Sequence, residues 1–190
     1  MLTVPTLLTF FRILLIPVLV AVFYLDFRGA NLVAAAIFGL AAITDALDGY
    51  LARRLGQISR FGEFLDPVAD KLMVAVTLVI LVQRHPSIWM ALPAAIIIGR
   101  EITISALREW MAELGERGLV KVALLGKIKT IAQMAALILL LIGEQLWIVP
   151  ALELGQILLI VAAALTIWSM VVYLRGAWPT IRDEPASRTD

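Results

Sequence analysis

Cysteine is absent from this chain, and histidine occurs once, at His85. A disulfide framework and thiolate metal ligation are therefore excluded, while the redox compartment is left undetermined. Charged residues are also scarce, at 16%, against about 25% in soluble domains. There is no polar stretch long enough for a second domain, and no internal repeat or low-complexity run. The formal charge of +1 says little about partners, and no nucleic-acid partner is expected. What remains is apolar, with 62% hydrophobic residues over 190 positions and a mean hydropathy of +0.96. That composition points to an all-α integral membrane protein. At about 20 apolar residues per span, the length suits six transmembrane helices in one domain.

Taken in order, Thr3, Pro5 and Thr6 open a short N-terminal interfacial segment and cap a first span that runs to about Leu25. A secretory signal is the rival reading, but no basic segment and no small-residue cleavage site precede Asp26, so a retained span is expected. Arg12 lies inside this span and can either snorkel to the interface or serve in phosphate binding. The second span covers Leu32 to about Leu51, where Gly39, Ala42, Ala46, Gly49 and Ala52 make a face of small residues suited to close helix packing. The third runs from about Phe64 to Leu81 with Pro67 in its first turn, and His85 follows in an interfacial loop. A fourth helix starts near Ile88 and continues as one piece through an amphipathic stretch to about Gly115. A fifth span covers Lys121 to Ile142 and a sixth Leu152 to Leu174. Residues 1–176 thus form the domain and 177–190 a polar tail.

Alternating these spans places Arg53, Arg54, Arg60, Arg100, Arg108, Arg117, Lys121, Lys127, Lys129, Arg175, Arg182 and Arg188 on one side. Arg28 and Arg84 fall on the other. The positive-inside rule makes the first side cytoplasmic, together with both termini.

Against this apolar background the stretch DALDGYLARRLGQISRFGEFLDPVAD, residues 45–70, is anomalous. An ionised Asp at the centre of a span costs about 2.5–3.5 kcal/mol. Four of them, Asp45, Asp48, Asp66 and Asp70, must therefore face water, cations, each other or a ligand. The first two are three residues apart and the last two four apart, so each pair lines one helix face. Two antiparallel helices can join these faces into an all-oxygen site for Mg2+ or Mn2+, with enough carboxylates for two ions. Gly49 and Gly62 leave room beside the pairs for a phosphate or nucleotide, and Arg53 can reach an anionic ligand. Interhelical salt bridges to Arg53, Arg60 or Lys71 are the structural alternative, and a cation or proton path is a second functional one.

In register, Asp45, Asp48, Gly49, Ala52, Arg53, Gly62, Asp66 and Asp70 resemble the signature of the CDP-alcohol phosphotransferases. The entry PTLLTFFR and the later REITISALREWMAELG are similar to bacterial members that use sn-glycerol 3-phosphate as acceptor, and serine or inositol phosphate users are the alternative. The resemblance implies transfer of a phosphatidyl group from CDP-diacylglycerol with release of CMP, using two divalent ions. By position it implies Asp45, Asp48, Asp66 and Asp70 as metal ligands, Asp70 as general base, and Asp48, Gly49, Ala52 and Arg53 along the CDP site. It also implies a homodimer in the bacterial inner membrane. An acceptor phosphate would need a basic pocket, for which Arg100, Arg108, Lys127 and Lys129 are the candidates.

Overall fold

Capping residues and one glycine decide where the helices begin and turn. In the computed structural model, which describes residues 3–25, 27–55, 59–113, 123–143 and 150–182, six helices follow one another. They are α1 (Val4–Tyr24), α2 (Ala30–Leu55), α3 (Arg60–Arg84), α4 (Ile88–Glu113), α5 (Ala123–Ile142) and α6 (Ala151–Arg182). Arg117, Lys121 and Arg188 lie outside the described residues, as do the side chains of Asp48, Gly49, Ala52, Arg53, Arg60, Lys127 and Arg182.

The Thr3 side chain caps α1 by accepting from the Thr6 amide, with Pro5 early in the helix where its missing donor is tolerated. Gly29, at φ +94°, supplies the left-handed turn into α2 that a side chain would oppose. Ser59 caps α3 by accepting from Gly62 N at 2.9 Å. Because that cap starts the helix at Arg60, Pro67 falls in its third turn and not its first. A proline there removes one internal backbone bond. The fourth helix is continuous, as its pattern suggested. The sixth runs on to Arg182, past the expected start of the tail.

Among the described residues, α1, α2, α4 and α6 are long and apolar enough to cross a membrane, and α5 offers a shorter apolar run, Ile128–Ile142. The protein is a helical membrane protein. Helix α5 packs along α6, α1 along α2 and α3, and α4 against α6. Phe38, Leu78, Leu81, Ile97, Leu137 and Leu159 fill the centre. Thr77 and Thr166 donate back to Met73 O at 2.7 Å and Ala162 O at 2.6 Å, so their hydroxyls are satisfied without water.

Of the small residues of α2, Gly39 and Ala46 are not places of close packing. A Cβ at Gly39 would meet nothing within 4 Å, and Ala46 is exposed. The packed side of α2 is instead Ala34, Ala35, Phe38 and Ala41. The tight approach lies between α5 and α6, where a Cβ on Gly155 would come 2.8 Å from Leu140 Cγ and 3.1 Å from its backbone nitrogen.

Candidate active site

Helices α2 and α3 both pack against α1 and bring acidic residues to one place. Asp45 comes from α2, and Asp66 and Asp70 from successive turns of α3. One carboxylate oxygen from each lies within 4.8 Å of the others. Asp48, expected in the same set, is on α2, but its side chain lies outside the described residues. The donors are hard oxygens gathered at one place, a set that suits Mg2+ or Mn2+.

A cation from a third helix is also present. Arg12 of α1 donates from Nη1 to Asp66 Oδ1 at 3.1 Å and to Asp70 Oδ1, and the same nitrogen is 3.1 Å from Asp45 Oδ1. Arg12 is therefore not snorkelling, since its side chain is 1% exposed. The aspartates are 35%, 40% and 36% exposed, so the cluster has a closed side and an open side. Phe38, Ala41, Met73, Val74 and Met134 border the closed side. Three carboxylates and one guanidinium carry a formal charge of −3 + 1 = −2, which a divalent ion would neutralise. The residues present thus fit such an ion.

The salt-bridge alternative is realised through a residue that the spacing within 45–70 could not name. Lys71 instead donates to Ser105 Oγ. The available signal for Arg12 was its isolation, as the only Asp, Glu, Lys or Arg in the apolar run of α1.

Gly62 sits at a meeting of hydroxyls. Thr3 Oγ1 and Thr6 Oγ1 are 2.8 Å apart, and Thr6 Oγ1 and Ser59 Oγ are also 2.8 Å apart. A Cβ on Gly62 would lie 2.8 Å from both Thr6 Oγ1 and Ser59 Oγ. This glycine therefore allows the starts of α1 and α3 to meet. Gly49, Ala52 and Arg53 lie on the last turns of α2, before the connection to α3.

The basic candidates are partly brought together. Arg100 Nη1 and Lys129 Nζ each donate at 2.8 Å to the same oxygen, Glu101 Oε1. Arg100 also reaches Ser169 Oγ at 3.4 Å, while its buried Nε has no hydrogen-bond partner among the described residues. Arg108 has its guanidinium carbon 5.8 Å from the Tyr173 ring centre. The side chain of Lys127 is outside the described residues. Sequence reasoning missed Glu101, although a carboxylate next to Arg100 in an apolar helix carries the same signal of a buried partner. Ser105 accepts from Lys71 and donates to the backbone oxygen of Glu101, one turn back on α4, at 2.5 Å.

Residues 2–168 match the model of the CDP-alcohol phosphatidyltransferase family. A Salmonella choleraesuis protein named CDP-diacylglycerol–glycerol-3-phosphate 3-phosphatidyltransferase is 55% identical over 181 residues, covering 95% of this chain and 98% of its own. Proteins of the same name from Pseudomonas fluorescens and Escherichia coli K12 are each 53% identical over 95% of this chain, covering 93% and 98% of their own lengths. With Asp45, Asp66 and Asp70 gathered from α2 and α3 and the match spanning nearly the whole sequence, the chain belongs to the CDP-alcohol phosphatidyltransferase family.

Proposed function

We propose that this chain transfers the phosphatidyl group of CDP-diacylglycerol to sn-glycerol 3-phosphate, giving phosphatidylglycerophosphate and CMP. The observation that carries the reading is the convergence of Asp45, Asp66 and Asp70 on one point, open on one side. Asp45, Asp48, Asp66 and Asp70 would hold two divalent ions, Mg2+ or Mn2+. When bound, such ions polarise the pyrophosphate and offset the charge developing on CMP.

The remaining steps belong to the chain's own groups. Asp70 takes the proton from the acceptor hydroxyl as its oxygen bonds to the phosphatidyl phosphorus and the bond to CMP breaks. Asp48, Gly49, Ala52, Arg53 and Gly62 line the CDP side. Arg100, Arg108, Lys127 and Lys129 hold the acceptor phosphate, a reading supported by the shared Glu101 oxygen that already gathers two of them. The acyl chains stay in lipid beside exposed apolar residues such as Leu7, Leu14 and Ile43.

In this reading all six helices cross the bacterial inner membrane, with both termini and the active site cytoplasmic, and two copies form a homodimer. Residues 1–176 are the catalytic domain and 177–190 a polar tail whose residues 177–182 continue α6. The test is CMP release by purified protein given CDP-diacylglycerol and each acceptor in turn. Release with glycerol 3-phosphate is expected. Release with inositol phosphate or serine alone would reassign the acceptor, and release with none would overturn the enzyme reading in favour of a cation path.

A further inference from the structure

We propose that Arg12 and a divalent cation compete for the same carboxylate oxygens, so that Arg12 holds the acidic cluster together and sets its affinity for metal. The inference rests on the reading that Asp45, Asp66 and Asp70 bind such ions. One nitrogen, Arg12 Nη1, stands where the three carboxylates meet, 3.1 Å from Asp45 Oδ1, 3.1 Å from Asp66 Oδ1 and in contact with Asp70 Oδ1. A Mg2+ ion takes carboxylate oxygens at about 2.0–2.1 Å. A divalent ion and a cationic nitrogen cannot both hold those three oxygens at that point. A divalent ion taken up by those three Oδ1 atoms therefore displaces the guanidinium from between them.

Burial gives the competition its strength. The Arg12 side chain is 1% exposed, and apolar Phe38, Met73 and Val74 border the cluster on that side. Solvent screens the attraction poorly there, so one fixed positive charge weighs heavily on the binding of another. With Arg12 the three carboxylates and the guanidinium total −3 + 1 = −2, and without it the carboxylates alone total −3. Removing the guanidinium thus has two opposite effects. Like charges are left together, which lowers stability before metal binds, and the attraction for a divalent ion rises. A residue with a merely structural role would weaken the fold and the ion site together.

The test uses the full chain purified in detergent, with Mn2+ binding followed by electron paramagnetic resonance and unfolding followed by heat. For Arg12→Met the half-saturating Mn2+ concentration is expected to fall roughly ten-fold or more, while the melting temperature without added metal drops below that of the wild type. Arg12→Lys retains the charge and is expected to bind Mn2+ within about three-fold of wild type. An unchanged or raised half-saturating concentration in Arg12→Met overturns the proposal. If Arg12→Met does not fold, the wild type still decides. Its Arg12 side-chain nitrogen signal, assigned by its loss in Arg12→Lys, must shift as Mg2+ is added, and a signal that stays in place overturns the proposal. Failure of both proteins to bind Mn2+ overturns the metal reading as well, whereas binding indifferent to the substitution overturns only the role of Arg12.

Discussion

Asp70 touches Arg12 on its closed side and keeps 36% of its side chain exposed on the other. A carboxylate so placed can accept a proton from an incoming hydroxyl while remaining tied to the cluster. Replacing it with Asn preserves size and removes both the charge and the basic oxygen. We expect Asp70→Asn to lower the rate of CMP release by roughly 10^2 to 10^4-fold, with helicity and detergent elution unchanged. A near-normal rate in a folded variant would take Asp70 out of the base role. The aspartates were legible in the sequence because a charge in an apolar run is costly wherever it lies. Arg12 and Glu101 obey the same energetics, but Asp66 lies 54 residues from Arg12 and Lys129 lies 28 from Glu101. Spacing along one segment could not supply those partners.

At the scale of elements, small residues had two meanings that their spacing does not separate. On α2 a Cβ at Gly39 would stand in open space, whereas Gly155 lets α6 approach the backbone of α5 at Leu140. Helix periodicity marks a face, but only the packing shows whether another helix lies on it. Gly155→Ala would press its Cβ against Leu140, including a backbone nitrogen that cannot rotate away. A loss of about 1–3 kcal/mol is expected from such overpacking. Gly39→Ala adds a helix-favouring methyl without a clash and should be neutral or stabilising by up to about 1 kcal/mol. Thermal unfolding of the two variants in the same detergent checks the contrast, and equal losses would contradict the α5–α6 geometry. The ends of the elements were harder to foresee, because Ser59 extends α3 through charged residues that alone would suggest a loop.

For the whole molecule, the arrangement of α3 and α5 decides whether the chain crosses the membrane four times or six. Among the described residues, four helices qualify by length and composition alone. Described charged residues of the other two have protein contacts, because Asp66 and Asp70 meet Arg12, Lys71 meets Ser105 and Lys129 meets Glu101. Charges satisfied inside the bundle do not count against a span as lipid-facing charges would. Length also permits crossing, since 25 residues of α3 and 20 of α5 extend about 37 and 30 Å at 1.5 Å per residue, against a core about 30 Å thick. The two topologies differ at Ser87, an exposed residue between α3 and α4. With a cytoplasmic N-terminus, six spans place Ser87 outside, whereas four spans that omit α3 and α5 leave it in the cytoplasm. Because the chain has no cysteine, a single Ser87→Cys variant gives an unambiguous signal. We expect a membrane-impermeant maleimide to label it on intact cells with the outer membrane made permeable, and to leave Arg175→Cys unlabelled until the inner membrane is opened. Protection of both positions would favour four spans, and labelling of both would show that the sixth helix ends outside.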